Sequence, residues 1–172
     1  MTTIYLDTEF SSLTDNAVLL SVGAVTETGD VFYVELPTPP RCSAFVRANV
    51  LPLLEGGDAI CSRAEFPARF ADWLQQWPAP CVVIVDSDWD IYMLRQTLMR
   101  STDSAPGVLT IASPGGPTVQ VQIELMPPVA HSATVQYCDA RSEQQLTDPR
   151  VHHALADAKV LRAGALACKP RQ

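Results

Sequence analysis

No apolar run in the 172 residues reaches the roughly 18 needed to cross a bilayer, and Met1 to Phe10 has no basic stretch leading into an apolar core. Neither a membrane span nor a secretory leader is therefore expected. Cysteine is sparse and poorly placed for bridging: Cys42, Cys61, Cys81, Cys138 and Cys168 are odd in number, far apart and never in C-x-x-C spacing. That speaks against a zinc ribbon or a disulfide scaffold and fits reduced thiols in the cytoplasm. Lysine is nearly missing, with only Lys159 and Lys169, and no Lys or Arg precedes Arg41. With a net charge of −7, this counts against a nucleic-acid partner. The distribution weakens that objection, because Arg141 to Gln172 holds six of the twelve basic residues against three acidic ones. An acidic pocket that collects metal ions, with a basic flank beside it, can still hold a phosphodiester. Linkers, internal repeats and low-complexity tracts are also missing, so residues 1–172 are expected to form a single domain.

What is there begins with Ile4-Tyr5-Leu6-Asp7-Thr8-Glu9-Phe10, an apolar run ending in two acids two positions apart. On a strand they share a face. Neighbouring carboxylates raise each other's pKa unless a cation neutralises them, which hard divalent ions do well. Two solvated acids at the mouth of a strand would read the same way.

Ala17–Thr26 and Val31–Leu36 are expected as strands around the turn Glu27-Thr28-Gly29-Asp30, making an opening meander that Pro37-Thr38-Pro39-Pro40 ends. Helices are expected over Ser43–Leu54, limited by Pro52 and closed by Gly56-Gly57, and over Ser62–Trp77. In the second, Phe66, Phe70, Trp73, Leu74 and Trp77 form a core stripe. Cys81–Val85 suits a strand buried on both faces, and Ile91–Arg100 a helix. Ser101–Gly107 reads as a loop, and Val108–Ala112 with Val119–Met126 as a hairpin across Ser113-Pro114-Gly115-Gly116-Pro117. Pro127-Pro128 breaks it, and Ala130–Leu146 is ambiguous, with helix expected in its second half. Asp148 as N-cap and Pro149 at the first helical position predict a last helix reaching Ala167. The fold class is α/β with a mixed sheet flanked by helices.

Two further acidic segments follow the first. Asp86-Ser87-Asp88-Trp89-Asp90 opens like a calcium loop, but Ile91 stands where glycine is needed and Thr97 where glutamate is needed, so a calcium hand is rejected. What remains is a buried strand ending in acids and leading into a helix, a usual place for ligand-binding groups. In the third segment, Asp157 lies among Ala154, Leu155, Ala158 and Leu161, an apolar face on which an acid needs a partner or a metal. His153, four residues before it, would share its face on an ideal helix.

Taken together, D-x-E, an acid opening a helix after a buried strand, and His-x-x-x-x-Asp resemble the DEDDh 3′→5′ exonuclease family of the RNase H-like superfamily. That family includes ribonuclease T, oligoribonuclease and the proofreading exonucleases. The segment His152-His153-Ala154-Leu155-Ala156-Asp157-Ala158 is close to the family's H-x-A-L-x-D-A, and that register selects His152 over His153. The second motif departs from the usual His-Asn start, and its Trp89-Asp90 pair selects Asp90, leaving the roles of Asp86 and Asp88 unassigned. The three short motifs span nearly the whole chain. The compact form and the Asp7-Thr8-Glu9-Phe10 start look most like small bacterial and phage exoribonucleases.

The resemblance implies an RNase H-like fold and a metal-dependent 3′→5′ exonuclease, with RNA preferred to DNA. Two divalent ions, Mg²⁺ or Mn²⁺, would sit about 3.5–4 Å apart. Asp7 would bridge both; Glu9 and Asp157 would complete one shell and Asp90 would hold the other, partly through water. His152 would take the proton from the attacking water, and nucleoside 5′-monophosphates would leave from the 3′ end. Phe10 and Trp89 are candidates to pack on terminal bases, although Trp89 would equally serve as core. Arg141, Arg150, Lys159 and Arg162 are candidate phosphate contacts. A homodimer is a further expectation. The competing readings are a non-catalytic module that binds nucleic acid or protein on the same fold, and a phosphatase with an Asp nucleophile. The second needs supporting lysines that the chain scarcely offers.

Overall fold

A computed structural model describes residues 1–98, 107–112 and 118–169. β1 (Thr2–Phe10), β2 (Leu19–Thr26) and β3 (Val31–Glu35) form an antiparallel meander. α1 (Ala44–Asn49) and α2 (Phe66–Leu74) lead to β4 (Cys81–Val85), which pairs parallel with β1. After α3 (Asp88–Leu98), β5 (Val108–Ala112) and β6 (Thr118–Leu125) form a hairpin whose second strand runs parallel to β4. α4 (Thr134–Thr147) and α5 (Ala154–Ala167) end the chain. The sheet order β3-β2-β1-β4-β6-β5, with helices on both faces, is an α/β arrangement consistent with the expected RNase H-like fold.

Strand alternation divides the core. Ile4 and Leu6 of β1, with Val83 and Val85 of β4, pack under Phe66, Phe70, Trp73 and Leu74 of α2 and Met93, Leu94 and Leu98 of α3. Tyr5, Val82 and Ile84 point the other way, onto Ala158, Leu161 and Ala165 of α5. β4 is buried along its whole length, as a strand covered on both faces must be. All five cysteines are free thiols, and among the described residues no helix is long and apolar enough to cross a membrane.

Five segments differ from expectation. α3 begins at Asp88 rather than Ile91, which puts Asp88 and Asp90 in its first turn. α2 begins at Phe66 rather than Ser62, because Pro67 belongs in a first turn and Ser62 and Glu65 bond each other just ahead of it. α1 stops at Asn49 and continues as a tighter 3₁₀ turn, Leu51–Leu53, around Pro52. α4 covers most of the ambiguous stretch; none of its residues is fully buried, so it has no apolar stripe to announce it. The last helix is not capped by Asp148, whose carboxylate is held by Arg150 through two parallel bonds of 2.8 Å. Asp148 instead closes α4, and α5 starts six residues later with His153 as its N-cap. The loop expected over Ser101–Gly107 lies outside the described residues except for Gly107, as do the end of the helix at Met99-Arg100 and the turn Ser113–Pro117.

Candidate metal centre

β1 delivers Asp7 and Glu9 on the face that Tyr5 shares with α5. Asp7 is registered opposite Gly23 of β2. A Cβ built on Gly23 would stand 2.2 Å from the Leu155 nitrogen and 2.3 Å from the Ala154 carbonyl carbon. Only glycine lets the first turn of α5 lie directly on the sheet, and that turn carries Asp157 in beside Asp7. From the other side, the parallel pairing of β1 with β4 brings in α3. Its Asp90 accepts two bonds through Oδ1, from the Thr8 N–H at 3.0 Å and the Thr8 hydroxyl at 2.6 Å. Asp90 is 2% exposed, and its Oδ2 has no hydrogen-bond partner among the described residues. A buried carboxylate oxygen left without a donor is costly unless a cation supplies the missing interaction.

All four carboxylates hold their protons more tightly than usual. Burial pushes Asp7 well above the ordinary range, and Asp90, Glu9, Asp157 and Asp86 push it further. Glu9 rises to about 8, through burial first and then through Asp157 and Asp90. Asp90 rises to about 7 because of burial, with the Thr8 hydrogen bonds opposing the shift. Asp157 is raised by burial and partly relieved by the bond it accepts from the His152 N–H at 2.8 Å. Four mutually repelling acids with too few donors make a site short of positive charge.

The ligand atoms fall into two sets, Glu9 with His152 and Asp157, and Asp7 with Asp86 and Asp90, the atoms of each set lying within 4.8 Å of one another. Two carboxylates with an imidazole in the first set, and three carboxylates in the second, could each hold a metal ion. Together with the orphaned Asp90 oxygen, the donors fit hard divalent cations.

The two adjacent histidines part company here. His152 has φ 70°, a left-handed conformation uncommon outside glycine, and its ring meets the Phe45 ring edge-on at 4.9 Å on the wall of the cavity. Strain of this kind costs on the order of 1 kcal/mol and gathers at functional sites; the bond to Asp157 helps to hold it. His153 turns inward, 1% exposed, stacks on Tyr33 at 4.7 Å and caps α5 through Nδ1. Its pKa is lowered, by burial first and then by Arg150.

Asp7, Glu9, Asp90, His152 and Asp157 all line one cavity of about 650 Å³, and Phe10 joins them. Trp89 stands behind Phe10, stacked on it at 5.7 Å, and lines a separate cleft with Asp15, Asp88 and Tyr92. Asp88 is exposed in the first turn of α3, whereas Asp86 belongs to one of the two ligand sets. Sequence reasoning missed Leu13 and Phe45, which are 70% and 53% exposed and form the apolar wall of the cavity with Phe10. Nothing in their local pattern separates them from ordinary surface residues; only their place across from the acids does. No protein-family model matches the chain, and no curated protein matches it.

Proposed function

We propose that the protein is a metal-dependent 3′→5′ exonuclease that acts on single-stranded RNA in preference to DNA. The observation that carries this reading is the convergence of four carboxylates and His152 on one cavity, with the buried Asp90 Oδ2 left unpartnered. The preference for RNA rests on the Asp7-Thr8-Glu9-Phe10 start and the compact form of the small exoribonucleases that the sequence resembles.

Mg²⁺ or Mn²⁺ held by the carboxylates of the two sets would supply the Lewis acidity that activates a water and offsets charge on the attacking and leaving oxygens, leaving the His152 imidazole free of the ions. Asp7 belongs to one of the sets and lines the cavity, its backbone held in the sheet opposite Gly23. Thr8 fixes Asp90 through its hydroxyl and its N–H, both bonded to Oδ1, and leaves the buried Oδ2 without a partner among the described residues. His152 accepts the proton of the attacking water at a ring nitrogen, and its backbone bond to Asp157 keeps the imidazole beside the acids. Phe10, Leu13 and Phe45 offer flat and apolar surface to the terminal bases. The product is a nucleoside 5′-monophosphate.

The test is a 5′-labelled single-stranded RNA incubated with purified protein and Mn²⁺, with or without EDTA, beside Asp7→Ala and His152→Ala. A one-nucleotide ladder shortening from the 3′ end, lost with EDTA and in both variants, is expected. No ladder from folded wild-type protein on RNA or DNA would overturn the reading and favour the binding module.

A further inference from the structure

A phosphate strand approaching a cavity ringed by carboxylates needs a cation that faces it. Most candidates are engaged elsewhere. Arg150 is forked onto Asp148 at 2.8 Å and also reaches Glu55 at 2.7 Å. Arg162 donates to the Glu27 carbonyl at 2.8 and 3.2 Å, and Lys169 pairs with the Glu27 carboxylate at 2.6 Å.

Arg141 is different. It rises from α4, and its stem lies so close to α5 that a Cβ on Gly164 would come within 2.9 Å of its Cγ. Its guanidinium carbon sits 5.3 Å from the centre of the Tyr137 ring, and Nη1 donates to the Tyr137 hydroxyl at 2.6 Å. The same Nη1 is 3.6 Å from Oδ2 of Asp86, too far for a hydrogen bond yet close enough for charge attraction. These contacts engage one nitrogen of a guanidinium that carries five N–H donors. Asp86 in turn is the carboxylate that joins Asp7 and Asp90 in one ligand set. A cation fixed by packing is therefore aimed at the rim of the candidate centre, and its side chain stays 30% exposed.

We propose that Arg141 grips a phosphate oxygen of the nucleic-acid strand at the rim of the Asp7–Asp86–Asp90 set, with Asp86 as its partner while no strand is bound. When Asp86 turns to complete that set, the guanidinium is left facing the strand and a phosphate oxygen takes the place of the carboxylate. One anion replaces another at a cation already oriented by Tyr137, so little ordering is needed on binding. The proposal rests on the exonuclease reading of the same site and names the residue through which that site holds its substrate.

The experiment measures binding of a single-stranded RNA in Ca²⁺ over a range of salt, and 3′-end degradation in Mn²⁺, for wild type, Arg141→Met and Arg141→Lys. Methionine keeps the apolar stem against Gly164 and removes the charge; thermal unfolding checks that both variants fold. Arg141→Met should raise KM about tenfold, with a smaller change in kcat, and lower the log K against log salt slope by about 0.7, the loss of one phosphate contact. Arg141→Lys should recover most of the slope, which a purely structural role would not do. Degradation by the wild type with the same KM and salt slope in Arg141→Met would overturn the role of Arg141 alone. RNA binding without degradation, still with the smaller slope in Arg141→Met, would overturn the exonuclease reading and keep Arg141. A wild type that neither binds nor degrades RNA would overturn both.

Discussion

Asp7 carries the sharpest conflict between stability and function in the chain. Its carboxylate is buried among Asp90, Glu9, Asp157 and Asp86, which all disfavour its charge. Asp7→Asn should therefore raise the stability of the metal-free protein by on the order of 1 kcal/mol, about what one pKa's worth of repulsion costs. The same change should cut exonuclease activity at least about 100-fold, as loss of a central charge-stabilising group does. Thermal unfolding in EDTA beside the ladder assay reads both, and an Asn variant no more stable than wild type would count against the charge-crowding account. Thr8→Val makes the opposite test. It deletes the 2.6 Å bond to Asp90 with little change of shape and should cost about 1.5–3 kcal/mol, the range for a hydrogen bond to a charged group. Denaturant melts of the two proteins measure it. Asp7 and Glu9 were legible as acids ending an apolar run and Asp157 as an acid on an apolar face, whereas Asp90 was selected only through the family resemblance. Asp86 joining the set while Asp88 stays outside it was not legible, since both are exposed acids two positions apart in one cluster.

Among the elements, the contact between β2 and the start of α5 matters most. Gly23→Ala would force a methyl to within 2.2 Å of the backbone of Leu155, and backbone cannot turn aside as a side chain can. The expected loss is about 1–3 kcal/mol, the cost of an overpacked core, together with a loss of activity larger than that destabilisation explains, because Asp157 and His152 move away from Asp7. Circular dichroism should still show a folded α/β protein at low temperature. Full activity in Gly23→Ala would show that the close approach is dispensable. The start of α5 also shows where helix-face reasoning misleads. On an ideal helix His153 and Asp157 share a face, yet the helix begins at Ala154 and His153 is its cap. The histidine on the cavity wall is the one before it, in a left-handed turn no periodic pattern anticipates. α4 escaped recognition for a related reason: it packs on α5 through the Tyr137 and Arg141 contacts at Gly164, without burying a stripe of its own.

At the scale of the whole molecule, the acids of the site set how stability depends on pH. Glu9 and Asp90 have ordinary values of 4.5 and 3.8 and rise in the fold to about 8 and about 7. Between those limits the folded protein holds protons that the unfolded chain has released, so stability of the metal-free protein falls as pH rises from about 4 to about 8. Asp148 acts in the opposite sense. Arg150 lowers it from 3.8 to about 2, so its contribution is present above its ordinary value and is lost as pH falls toward 2. The metal-free melting temperature should therefore peak at about pH 4–5 and decline toward pH 8. Mn²⁺ should raise it more at about pH 8 than at about pH 5, because cations compete with protons for the same oxygens. Calorimetry across pH with and without Mn²⁺ checks both. A Mn²⁺ shift that does not change with pH would show that the ion binds elsewhere.

The sequence by itself determined the alternation of strands and helices, the stripe of α2 on the core, the three acidic segments and the shortage of lysine. These follow from side chains read along a few neighbouring residues, where period and composition act directly. Tertiary structure alone decided which of these groups meet. Thr8 and Asp90, 82 positions apart, are tied because β1 and β4 pair in parallel. Asp157 reaches Asp7 because Gly23 opens the sheet to α5, and Arg141 reaches Asp86 because Gly164 lets α4 lie close. Such contacts depend on backbone approach at single glycines and on strand pairing across most of the chain. Neither leaves a periodic trace in the residues it brings together.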